Sequence, residues 1–304
     1  MVASLGRRAM LAGAAMLPVA LAAPRHARSA TTLDIDGARH LLGRVTFGAT
    51  PDEIQAIAGQ DAGQAVDRLL AGVRRDAVTP PPAWLSEGPA ELRQMQRAAE
   101  AERAEARRKP GIDGKPQQVT RPIEEQGREL RNWWIEEMLV SDRPFTERLV
   151  LFWHNHFTSS LQKVRFPPAL WRQNALFRRE AAGNYATLLR AVARDPAMLI
   201  YLDGMRSVAR RPNENFAREL LELFTLGEGH YGEADIKAAA RAFTGWTVDR
   251  RTGGFATRPN EHDTGEKLFL GQAGRFGGDD IVTILLRQPR TAETIVQKLW
   301  REFV

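Results

Sequence analysis

The sequence predicts a mainly α protein, a multi-helix orthogonal bundle with a small β-hairpin element near 246–270. Three observations carry this. Apolar residues recur at helical spacing across most of 35–243. Helix start and stop residues recur with them, among them Thr50-Pro51, Pro144, Asn213, Gly227 and Gly245. Alternation and turn residues enter only after Trp246, where Trp246–Val248 and Gly254–Thr257 flank Asp249-Arg250-Arg251-Thr252-Gly253.

Residues 1–30 form a targeting segment. Arg7-Arg8 precede an apolar, Ala-rich run from Leu11 to Ala23, which is too short for the ~20 residues of a bilayer span. Basic region, apolar region and a small-residue exit at Ala27-Arg28-Ser29 make a cleavable signal. The paired arginines resemble a twin-arginine export signal. The expected location is therefore periplasmic or secreted. That route carries folded proteins, often with a cofactor already bound.

The mature chain, 31–304, reads as one helical domain. Ala38, Leu41, Leu42 and Val45 form one helical stripe, opening the domain from Ile35. Thr50-Pro51-Asp52-Glu53 starts a second helix, with a capping threonine, proline at its first position and acids in its first turn. A third covers about 62–70. Thr79-Pro80-Pro81-Pro82 breaks the chain, and 73–122 reads as a surface excursion holding a charged helix at 91–108 and an exposed loop at 109–122. Glu124 to Val140 is amphipathic, with Trp133, Trp134, Met138 and Leu139 available to the core.

Pro144 suits the first turn of the next helix, which carries Trp153-His154-Asn155-His156-Phe157. Two of the chain's six histidines lie within three residues, inside an apolar run. Polar side chains in such a setting cost free energy unless each finds a partner. On a helix His154 and His156 point about 200° apart and cannot chelate one ion unless the helix unwinds. Further helices cover 170–182 and 186–192.

Asn213 suits an N-cap, and helical spacing aligns Asn215, Glu219 and Glu222 on one face up to Gly227. Glu233 to Phe243 forms the next helix. After the hairpin, His262-Asp263 lies in a loop, and Leu268–Leu270 is a candidate third strand. Helices at 277–286 and 291–303 end the chain.

Composition excludes several functions. The net charge is +6, but the signal holds four arginines and no acid, leaving 39 basic against 37 acidic residues. That balance gives no support for nucleic-acid binding. No apolar run after the signal is long enough for a membrane span. Cysteine is absent, which excludes disulfides, thiol nucleophiles and thiolate metal sites. A divalent metal would have to take His, Asp, Glu or Asn, a donor set suited to zinc, iron, manganese or calcium. The candidate ligands are His154, His156, Asn215 and Glu219. The candidate catalytic groups are His262, Asp263 and Glu222. No serine elbow, phosphate loop or metalloprotease helix motif occurs.

Five motifs together carry a resemblance: Leu42-Gly43-Arg44-Val45-Thr46-Phe47-Gly48; Trp153–Phe157; Asn213-Glu214-Asn215-Phe216-Ala217-Arg218-Glu219-Leu220-Leu221-Glu222-Leu223-Phe224; Ala240–Trp246; and His262-Asp263-Thr264-Gly265. In order and spacing the chain is similar to the Domain of Unknown Function 1800 family across 35–304. The resemblance implies a bacterial, exported protein, commonly encoded beside a second exported protein that is a candidate partner. It implies no activity. Members usually continue past Trp300, so an amino-terminal portion is expected here. Two readings are open. One is a metal-dependent, hydrolase-like enzyme with a His/Asn/Glu site. The other is a non-catalytic binding or assembly protein that acts with its exported partner on a surface polymer.

Overall fold

The computed structural model describes residues 31–86, 122–249 and 251–304. The expected signal and the helix and loop expected between 91 and 121 lie outside the described residues. The expected mainly helical fold is observed. Its helices are α1 (Ile35–Val45), α2 (Pro51–Ile57), α3 (Ala62–Ala71), α4 (Pro122–Val140), α5 (Pro144–His156), α6 (Leu161–Val164), α7 (Pro167–Arg179), α8 (Tyr185–Ala193), α9 (Pro196–Tyr201), α10 (Glu214–Glu219), α11 (Glu233–Ala242), α12 (Gly278–Leu286) and α13 (Pro289–Phe303).

Local chemistry explains the boundaries. Thr50 and Glu53 form a reciprocal capping box at α2, with Thr50 N–H donating to Glu53 Oε2 at 2.7 Å. Proline occupies the first turn of α5, α7, α9 and α13. Asn213 caps α10 through the Asn215 N–H at 2.9 Å, as its side chain predicts. Helix α10 then runs into a π-helical turn at Leu220–Thr225. Such a turn holds one extra residue, so it rotates the residues beyond it relative to α10.

The strands form two antiparallel hairpins. β1 (Trp246–Val248) pairs with β2 (Phe255–Thr257), with Trp246 opposite Thr257. β3 (Lys267–Phe269) pairs with β4 (Gln272–Gly274), with Lys267 opposite Gly274. The expected third strand at 268–270 is thus half of a second hairpin that reaches past 270. Leu270 belongs to its turn instead, because Leu270 and Gly271 both have positive φ, 45° and 77°. Two such residues make the tight turn that matches strand twist. Gly245, at φ +82°, is required where the chain enters β1, since a Cβ there would lie 2.7 Å from the Arg258 carbonyl oxygen.

The start of the expected excursion, 73–86, is tied down. Val78 and Thr79 donate backbone N–H groups to the Glu137 carboxylate on α4. Trp84, buried, donates Nε1–H to Glu129 Oε2 at 2.8 Å.

The main core gathers α5, α7, α8, α10, α11 and α12 around Phe157, Phe177, Leu189, Phe216, Leu221 and Ile281. A smaller cluster packs α1 on α5 through Leu42, Val45, Phe145 and Leu149. Helix α5 therefore touches a core on both sides, which encloses Thr146, Glu147 and His156 and leaves Asn155 exposed.

Candidate functional site

Helix α5 stays helical through His156, and the two histidines face apart as the period requires. His154 lies against the Trp134 ring at 4.5 Å and the Phe177 ring at 4.7 Å. Its Nε2 meets Asn174 Nδ2 at 3.2 Å. Burial, then the charge of Arg178, pushes its pKa down to about 3. His156 is also buried and is pushed down to about 3, first by burial and then by Lys298. Both imidazoles are neutral at physiological pH.

The partners of His156 assign its tautomer. Tyr185 donates its hydroxyl hydrogen to the Phe224 carbonyl. Its oxygen is then an acceptor for His156 Nε2–H at 3.3 Å. His156 Nδ1 is left as acceptor, and Lys298 Nζ lies 3.3 Å from it.

The π turn explains why these groups gather. The last carbonyls of a helix have no partner within it. Here Lys298 Nζ donates to the Leu223 carbonyl at 2.7 Å, Tyr185 to Phe224, and Arg290 Nε to Leu226 at 3.1 Å. Cations from α13 thus meet the negative end of the α10 helix. Lys298 spends two donors on Leu223 and His156 and keeps a third N–H. Among the described residues no carboxylate pairs with it.

Asn155, His156, Lys163, Asn215, Glu219 and Lys298 line one cleft of about 440 Å³, with Tyr201 and Thr158 at its sides. Desolvation, then the neighbouring Glu222, raises the pKa of Glu219. Desolvation lowers that of Lys298. Lys163 crosses the Tyr201 ring and pairs with Asp203 at 2.7 Å. Asn215 donates Nδ2–H to the Leu202 carbonyl at 3.3 Å.

Of the candidate residues, His156, Asn215 and Glu219 therefore meet. The others do not join them. Glu222, expected on the face of Glu219, falls inside the π turn and does not line the cleft. It accepts the Tyr231 hydroxyl hydrogen at 2.8 Å instead. His154 faces a different cavity, shared with Trp134 and Asn174. His262 borders a third, with Arg258 and Asp280, and donates Nδ1–H to the Thr244 carbonyl at 2.9 Å. Asp263 does not orient His262. Arg241 grips it bidentately at 2.7 and 3.1 Å and holds its pKa at about 2. Beneath it the buried Lys267 donates to the carbonyls of Asp263 and Gly265 at 2.6 and 2.9 Å. This pair staples the loop.

The cleft does not fit a divalent metal. No group of three or more His, Asp or Glu among the described residues is placed to hold one. The free nitrogen of His156 already faces an ammonium, which would repel a cation. Sequence reasoning missed Lys298, Lys163 and Tyr185. Lys298 carried a signal, since it sits among Val296, Leu299 and Trp300 on a helix, but its partners lie 142 and 75 residues away.

Comparison with curated proteins and with solved structures found no match. A family model described as Protein of unknown function (DUF1800) matches residues 40–304. The chain belongs to that family.

Proposed function

We propose that this is an exported enzyme of hydrolytic type that works by metal-free acid–base chemistry on a polar substrate seated between α5, α10 and α13. The observation that supports it is one cleft lined by Glu219, His156 and Lys298, in which desolvation raises the carboxyl's pKa and lowers the amine's. Opposed shifts of this kind suit proton transfer between neighbouring groups. Glu219 would pass the proton. Lys298 would hold a substrate oxygen through its remaining N–H. Neutral His156 positions that lysine.

The test uses mature protein recovered from the periplasm and a panel of p-nitrophenyl esters, phosphates and glycosides. Turnover is expected to survive EDTA. Glu219→Gln is expected to lower kcat by roughly 10²–10⁴-fold. Glu219 must bind its proton to act as the acid, so kcat falls as pH rises through its raised pKa. His156 adds no limb between neutral and mildly acid pH. Turnover that Glu219→Gln leaves intact would overturn the reading. A stoichiometric divalent metal, lost in His156→Ala, would restore a metal-dependent one.

The binding or assembly reading keeps one supporting observation: Asp263 and Glu222 are spent on internal partners. It expects saturable binding of a surface polymer or of the second exported protein, with no turnover. Export itself has a separate test. Arg7-Arg8→Lys-Lys is expected to abolish periplasmic accumulation, because twin-arginine recognition needs guanidinium groups. Normal yield of that variant would assign the general secretory route.

A further inference from the structure

We infer that the molecule carries a second ligand site, separate from the cleft, for a small hydroxyl-bearing compound with a flat apolar body. The site is the cavity of about 390 Å³ on the other face of α5. Leu130 and Trp134 of α4, Leu161 of α6 and Leu170 of α7 form its apolar walls. His154 and Asn174 form one polar end, and Ser159, Ser160 and Gln162 add polar groups along the α5–α6 side. Small-molecule sites have this make-up, mostly apolar walls with a few convergent polar groups.

Asn174 carries the argument. It is 3% exposed, and its Oδ1 has no hydrogen-bond partner, while its Nδ2 meets His154 Nε2. Exchanging the amide atoms does not remove the problem, since Nδ2 would then be the unpaired one. Buried polar atoms are normally satisfied. A small rotation of the amide brings its closed-off atom to the cavity wall, where a hydroxyl, which donates or accepts, completes either arrangement. Trp134 is pre-set for stacking, because its Nε1–H is held by Glu147 Oε2 at 2.8 Å. Exposed Arg131 also lines the cavity and favours an anionic substituent on the ligand's outer end.

Calorimetric titration of the mature protein with phenol, p-hydroxybenzoate and benzoate tests this. Phenol and p-hydroxybenzoate are expected to bind, p-hydroxybenzoate more tightly, and benzoate roughly tenfold more weakly than p-hydroxybenzoate. Leu161→Trp and Leu170→Trp each fill the cavity from its wall and are expected to abolish binding without loss of helix content. Asn174→Leu is expected to erase the preference for the hydroxyl. Lys298→Met, in the other cleft, is expected to leave binding unchanged. No binding at millimolar phenol would mean that the cavity holds water alone and would overturn the proposal. So would binding that both tryptophan variants leave intact, or that Lys298→Met removes.

Discussion

Glu147→Ala is expected to destabilise the protein by about 3–5 kcal/mol, the scale for breaking a buried pair from one side. Glu147 and Arg178 are fully enclosed, at 0% and 1% side-chain exposure. Their two parallel hydrogen bonds are each 2.7 Å. Trp134 Nε1–H adds a third contact to the carboxylate, and the guanidinium lies over the Trp133 ring at 5.5 Å. Removing the carboxylate leaves a guanidinium that cannot lose its proton and cannot reach water. Glu147→Gln keeps an acceptor for Trp134 and should cost less. Glu147→Met with Arg178→Met should recover most of the loss, because a buried ion pair is often no better than an apolar one. Chemical denaturation of the four proteins checks the series. A loss under about 1 kcal/mol for Glu147→Ala would reject the argument.

The pair also shows how much of the fold can be read from residues. The helix pattern was legible because caps and prolines are local. Thr50, Pro144 and Asn213 each announce a boundary that needs no tertiary contact. The opposed faces of His154 and His156 follow from the helix period alone. Glu147 lies seven residues before His154 and so shares its helix face, but its partner Arg178 is 31 residues away and no local pattern assigns it. Helix α9 carries a start signal in Asp195-Pro196, yet six residues are too few to show a period. The π turn was hidden for a physical reason. Its extra residue is stabilised by Thr225, Tyr185 and Lys298 reaching carbonyls across and beyond the turn, not by any residue preference within Leu220–Thr225. Within that turn Glu222 is held by Tyr231 and does not line the cleft, though it stays near enough to Glu219 to raise its pKa, so regular spacing overestimated the acidic face of the cleft. The His262-Asp263 pair misled in the opposite way. Adjacent chemistry in sequence suggested a base with its orienter, whereas Arg241 had already claimed the carboxylate.

Phe157→Ala is expected to cost about 3–5 kcal/mol as well, by opening a void in the core. Phe157 is 0% exposed and forms the C-cap of α5. Its ring lies 5.0 Å from that of Phe224, 5.9 Å from Phe177 and 6.3 Å from Tyr185. The ring of His156 is nearer still, at 4.4 Å. Four elements therefore close on one side chain, and none can collapse onto an alanine without giving up its other contacts. Phe157→Leu keeps most of the volume and should cost under about 1.5 kcal/mol. The consequence reaches the cleft. Tyr185, Phe224 and His156 form the hydrogen-bonded chain that fixes Lys298, and all three rest on Phe157. Loosening that floor should expose the half-buried Lys298 amine further and raise its pKa toward the ordinary lysine value, since burial is what lowers it. Denaturation midpoints measure the first effect, and the pH dependence of Lys298 acylation, followed by mass spectrometry, measures the second. A Phe157→Ala protein as stable as Phe157→Leu, with an unchanged Lys298 titration, would show that the α5 terminus and the cleft are mechanically independent.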